Sequence, residues 1–137
     1  MTTQRRLHTE LTIRVWEDLA GEHDRGGFDE EQDNDNLTQV IAPYDVALPA
    51  SASGTEIAFP PGAVKLRFIS VMHVTNLNGV QVHFDNAAND PILIKPGIGS
   101  DQEGQFVLWT SADALYFSNP DSSSEVTFSL MLGFADI

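Results

Sequence analysis

The chain has 137 residues, no cysteine, 7 Lys and Arg against 20 Asp and Glu, a formal net charge of -13 and a sequence pI near 4.3. That composition excludes disulfides, thiolate metal sites and cysteine nucleophiles. It also opposes nucleic acid and anionic membranes as ligands, since both are held by clustered Lys and Arg.

The opening segment, Met1 to Glu10, carries Arg5, Arg6 and His8 but no apolar stretch of the kind a secretory signal needs, so synthesis in a cytoplasm is expected. Leu11, Ile13 and Val15 then alternate with Thr12, Arg14 and Trp16, which predicts a lone strand or extended arm. From Glu17 to Asn36 nine carboxylates, among them Asp29, Glu31, Asp33 and Asp35, are opposed only by Arg25, with Gly26 and Gly27 in the middle. Such a stretch reads as an acidic loop or mobile linker. The division that follows is an N-terminal arm and linker over 1–36 and a β-sandwich domain over 37–137.

Beyond Leu37, strand signals recur at intervals of about ten residues between clusters of Pro, Gly, Asn, Asp and Ser, the spacing of a sandwich or barrel. Strands are predicted over Thr38–Ala42, Tyr44–Leu48, Thr55–Phe59, Val64–Val74, Val80–Phe84, Ile92–Ile94, Gln105–Trp109, Leu115–Ser118 and Val126–Phe134. In the last, Val126, Phe128, Leu130, Leu132 and Phe134 share one face and Thr127, Ser129, Met131 and Gly133 the other, so one face is buried. A three-residue loop Leu77-Asn78-Gly79 joins Val64–Val74 and Val80–Phe84 into an expected hairpin, with Val74 opposite Val82, Met72 opposite Phe84 and His73 opposite His83. The whole suggests an all-β, antiparallel, jelly-roll-like β-sandwich with an extended N-terminal arm.

Motifs that could carry chemistry are few. His73 and His83 across a strand pair could ligate a metal or change charge near neutral pH, but two ligands do not make a site, and solvent-facing strand histidines are expected instead. Glu31, Asp33, Asp35 and Asn36 resemble a calcium loop only superficially, because Asn36 stands where its glycine should and Ala42 where its glutamate should. Trp16, Tyr44, Trp109 and Tyr116 could stack on sugars, although Phe106, Trp109 and Phe117 are expected in the core. Gly97-Ile98-Gly99-Ser100 lacks the lysine of a phosphate loop, Ser122 to Ser124 lie in a turn-like run, and no nucleophile elbow is present. The sequence therefore predicts no enzyme, no cofactor and no metal.

The C-terminal third carries one resemblance. Ala114-Leu115-Tyr116-Phe117-Ser118-Asn119-Pro120, a polar turn over Asp121 to Ser124 and the strand Val126 to Phe134 resemble in layout the small decoration, or cement, proteins of tailed-bacteriophage capsids. The resemblance covers about 37–137. It implies a structural virion protein on the capsid exterior, made in the host cytoplasm, that binds the major capsid protein and itself as a homodimer or homotrimer, with no nucleic acid or membrane partner. An arm with Leu11, Ile13, Val15 and Trp16 can then add a strand to a partner's sheet edge. The competing expectation is a receptor- or carbohydrate-binding sandwich of a phage fibre or adhesin, which needs exposed aromatics gathered at one loop end.

Overall fold

The computed structural model describes residues 5–16, 24–97 and 104–136. Ten strands run in chain order: β1 (Arg5–Trp16), β2 (Asp24–Leu37), β3 (Gln39–Leu48), β4 (Thr55–Glu56), β5 (Lys65–Val74), β6 (Val80–Phe84), β7 (Ile92–Ile94), β8 (Gly104–Ala112), β9 (Leu115–Ser118) and β10 (Val126–Ala135). β1 and β2 form a two-stranded antiparallel ribbon; the other eight form two four-stranded sheets, ordered β3-β10-β5-β8 and β4-β9-β6-β7. All ladders are antiparallel. Among the described strands of the two sheets, only β6 and β7 pair with their immediate successor or predecessor. Every other connection changes sheet, so the chain passes back and forth across the core of an all-β sandwich.

The core is the alternation made solid. Val126, Phe128, Leu130, Leu132 and Phe134 of β10 are all buried and meet Leu66, Ile69, Val71 and Val74 of β5 and Val80, Val82, Leu115 and Phe117 of the second sheet. Phe117 and Phe128 touch across the two sheets with ring centroids 4.8 Å apart, and Phe59 meets Phe134 edge-on at 4.8 Å. At about 25 cal/mol per Å² of apolar surface, each such ring contributes roughly 1.5–3 kcal/mol of transfer free energy.

Three expectations need correction. The two strands predicted over Thr38–Ala42 and Tyr44–Leu48 are one strand, β3, whose register against β10 slips between Tyr44↔Leu130 and Ile41↔Leu132. One extra residue at Ala42-Pro43 is absorbed there as a bulge, a place where proline, lacking an N–H, costs no ladder bond.

The expected β5–β6 hairpin does not form. β5 is flanked on both sides, by β10 and β8, and β6 belongs to the other sheet. Leu66 and the run Phe68 to Val71 are buried, and with both edges already laddered no edge is left for β6. Asn76–Gly79 is instead a turn between sheets, closed by the Gly79 N–H on the Asn76 carbonyl at 2.8 Å with Gly79 at φ 78°. His73, at φ 60°, lies where the ladder of β5 with β8 slips, between Val71 and Val74.

The lone extended arm is also revised. β1 pairs with β2 from Arg5 opposite Leu37 to Trp16 opposite Asp24, so residues 24–36, expected as loop or linker, are strand. Their acidic sequence has no two-residue apolar rhythm by which a strand could be read. The remainder of the acidic stretch, 17–23, lies outside the described residues. Where the ribbon meets the sandwich, Leu37 is fully buried beside Gly133 and Phe68, and the Thr38 N–H donates to the Phe134 carbonyl at 2.8 Å. A Cβ on Gly133 would stand 3.0 Å from Leu37 Cδ1, so the missing side chain lets the base of the ribbon seat on β10.

Candidate functional site

The ribbon is the part of the molecule that the sandwich does not enclose. Leu11, midway along β1, is 50% exposed, whereas Leu7 nearer the base is half-buried. Of the four arm residues singled out by sequence, Leu11 is thus placed on an open strand; Ile13 stands opposite Phe28, Trp16 opposite Asp24, and Val15 between them at a register slip. Among the described residues each ribbon strand has a ladder on one edge only, and a strand edge without a ladder can take another strand. Two strands alone are marginal in water, so this ribbon is the element with most to gain from a partner.

The polar side of the ribbon is acidic. His8 stands opposite Asp33, Glu10 opposite Glu31 and Thr12 opposite Asp29. His8 Nε2 lies 3.0 Å from Glu10 Oε1, and ligand atoms of His8, Glu10 and Glu31 all fall within 4.8 Å of one another. All three are exposed, and exposed acidic groups commonly gather this way without an ion. The calcium-loop residues Glu31, Asp33, Asp35 and Asn36 belong to β2, an extended strand and not a coordinating loop.

The two core-region histidines part company. His73 is exposed on the outer side of the first sheet, beside a shallow depression of about 340 Å³ lined by Asp45, Ala47, Thr75, Thr127 and Ser129. Polar groups there already bond one another: the Ser129 hydroxyl donates to Asp45 Oδ1 at 3.0 Å, and Thr75 and Thr127 hydroxyls are 3.1 Å apart. His83, expected to face solvent, is only 7% exposed. Its Nδ1 donates to the Asn89 carbonyl at 2.8 Å, and its Nε2 is hydrogen-bonded to the Ser118 hydroxyl at 2.9 Å. The Gly54 N–H donates to that same hydroxyl oxygen at 2.8 Å. Ser118 and His83 have the spacing of a nucleophile and its base, but Ser118 is also 7% exposed and its oxygen is engaged on both sides. The trio ties β6, β9 and two loops together.

A second polar hub closes the end of the sandwich. The Asp121 carboxylate accepts from the Ser123 and Ser124 N–H groups at 2.8 and 3.1 Å and from the side-chain amides of Asn76 and Asn78 at 3.1 and 3.0 Å. These donors, led by the Ser123 N–H, hold its pKa well below the usual carboxylate range. Buried Asn119 donates to the carbonyls of Leu48, Pro49 and Ser124 and accepts from the Asp121 N–H. The Asn119-Pro120-Asp121 run is thus a clamp between strand ends.

Among the described side chains, Tyr44, Trp109 and Tyr116 do not converge. Phe117 is buried and Phe106 half-buried against the core, as expected. Trp109 is half-buried against Phe68, which lies on the opposite face of its sheet from the main cluster, with centroids 4.9 Å apart. Tyr44, 38% exposed, is on β3 of the first sheet and Tyr116 on β9 of the second. Of the segment Gly97-Ile98-Gly99-Ser100, residues 98–100 lie outside the described residues.

No protein-family model, curated protein or solved structure matches the chain.

Proposed function

We propose that this protein is a structural virion component that binds the outside of a phage capsid and reinforces contacts between major capsid proteins. The observation that carries this reading is the ribbon: among the described residues its two long strands ladder only with each other, and Leu11 on β1 is half exposed. Strand addition supplies main-chain hydrogen bonds without a preformed pocket, which suits an element that offers edges and no enclosed cleft. Leu11, Ile13, Val15 and Trp16 are the contact residues, and the sandwich is the rigid body they fasten. Repeated copies on a symmetric shell convert modest single contacts into firm attachment.

Co-sedimentation with purified capsids tests it. The full chain is expected to pellet with capsids, and aspartate at Leu11, Ile13 and Val15 together to weaken attachment at least about tenfold, equivalent to about 1.4 kcal/mol. The melting temperature of the sandwich should be unchanged. Failure of the full chain to pellet, or unaltered attachment of the triple variant, would sink the reading.

A further inference from the structure

We infer that Asn78 is a site of self-modification, at which the Gly79 backbone nitrogen attacks the Asn78 side-chain amide and expels ammonia, and that the hydrogen bond from Asn78 to Asp121 restrains this reaction in the folded chain.

Asn78-Gly79 is the one Asn-Gly pair in the sequence, and every other asparagine is followed by a residue with a side chain. The difference matters because the amide carbon of an asparagine lies within five-membered-ring reach of the next residue's nitrogen. Glycine has no Cβ to shield that nitrogen or to limit the backbone angles of approach. The Gly79 nitrogen gives its proton to solvent base and bonds to Asn78 Cγ; the Cγ–Nδ2 bond breaks, and the departing nitrogen takes up a proton and leaves as ammonia. One water then opens the cyclic imide at either carbonyl, leaving an aspartate or an isoaspartate. Water is the only co-reactant.

The turn brings both reacting groups together and restrains both. Asn78 is exposed next to Leu77, itself 77% exposed, and lines an open depression of about 440 Å³ with Asn76, Asp121, Ser124 and Glu125, so water reaches the amide. Asn78 Nδ2 donates to Asp121 Oδ2 at 3.0 Å, and the Asn78 N–H donates to Asn76 Oδ1 at 2.8 Å. The nucleophile is engaged as well: Gly79 is buried, and its N–H donates to the Asn76 carbonyl at 2.8 Å. Attack therefore needs a local opening in which the Gly79 N–H leaves Asn76 and the amide swings off Asp121.

The product cannot restore the clamp. A carboxylate at position 78 offers no donor, and it puts a second negative charge where the amide nitrogen stood 3.0 Å from Asp121. An isoaspartate also adds a methylene to the backbone just ahead of Gly79, where a Cβ would already stand 2.3 Å from the Ile94 carbonyl oxygen. Each converted chain thus loses contacts between the 76–79 turn and the loop before β10, a one-way loosening that accumulates with the age of the protein.

Incubation of the full chain in mildly alkaline buffer, followed by peptide mass mapping that separates aspartate from isoaspartate, reads the reaction. Asn78 should be the first asparagine converted, with both products at that position. Conversion should run at least about tenfold faster in unfolding urea than in the folded chain, the ratio set by an opening that costs about 1.4 kcal/mol or more. Asp121→Ala should speed conversion of the folded chain severalfold. Phe134→Ala weakens the sandwich at the far end of β10 from this turn and serves as the comparison, because it separates loss of the clamp from loss of stability. Where circular dichroism shows both variants folded, Phe134→Ala should convert at close to the wild-type rate. Earlier conversion of another asparagine, or an Asn78 that stays intact in urea, would overturn the site. Equal rates with and without urea, or equal rates in the two variants, would overturn the restraint by Asp121.

Discussion

Asp121 concentrates the chemistry of single residues in this fold. Its carboxylate accepts backbone and side-chain donors from its own turn and from Asn76 and Asn78, and each bond favours the charged form. The folded-state pKa is lowered, so the stabilisation is fully present above the unfolded carboxyl value of about 3.9 and is lost as pH falls below it. Asp121→Asn is therefore expected to be less stable than wild type at neutral pH, with the gap closing in acid. Urea melts between pH 7 and 3 check this; two parallel stability curves would rule out the Asp121 network as a source of acid sensitivity. His83 marks the limit of local inference at the same scale. Alternation places Gln81 and His83 on the face away from Val80 and Val82, which suggests solvent. What buries His83 is Asn89 on one side and Ser118 on the other, 35 residues distant, and neither contact leaves a trace in the spacing around residue 83.

At the scale of elements, strands were legible and neighbours were not. The two-residue rhythm gives β6, β7 and β9 to the residue and β10 within one residue, because each shows its buried face in sequence. It does not say which strand lies alongside. β5 and β6 both alternate and are joined by a short Asn-Gly turn, the usual mark of a hairpin, yet β5 is claimed on both edges by β10 and β8. Gly79 is left-handed, and its conformation turns the chain between sheets. A Cβ there would stand 2.3 Å from the Ile94 carbonyl oxygen, a backbone atom that cannot step aside. Gly79→Ala should accordingly cost upwards of about 1 kcal/mol through strain at positive φ and that clash. Thermal melting measures it; an alanine variant as stable as wild type would mean that the turn and β7 are not held in this contact. β2 was missed for the opposite reason. A strand of carboxylates and amides has no apolar face to announce it, and its pairing with β1 is a contact the local sequence does not show.

For the whole molecule, the all-β class followed from composition and period together, because recurrent β-branched and aromatic runs separated by turn residues have few other ways to bury their faces. The candidate site was half legible: Leu11, Ile13, Val15 and Trp16 were identified as an extended segment, while their pairing with the acidic stretch was not. What joins the two sheets into one cooperative body is the inner layer, and Phe117 against Phe128 is its clearest bridge, one ring from each sheet, both essentially inaccessible to solvent. Phe117→Ala and Phe128→Ala should each destabilise the sandwich by about 3–5 kcal/mol, because neighbouring strands held by ladder bonds cannot collapse to fill the cavity. Each loss should appear as one transition for both sheets, seen equally by near- and far-ultraviolet circular dichroism. Since the rings meet each other, the double variant should cost less than the two single losses together, by about 0.5–1.5 kcal/mol. Strict additivity in that cycle would show that the rings stabilise their own sheets independently, and the two layers would then have to be held together by Val71, Val82, Leu115 and Leu130 instead.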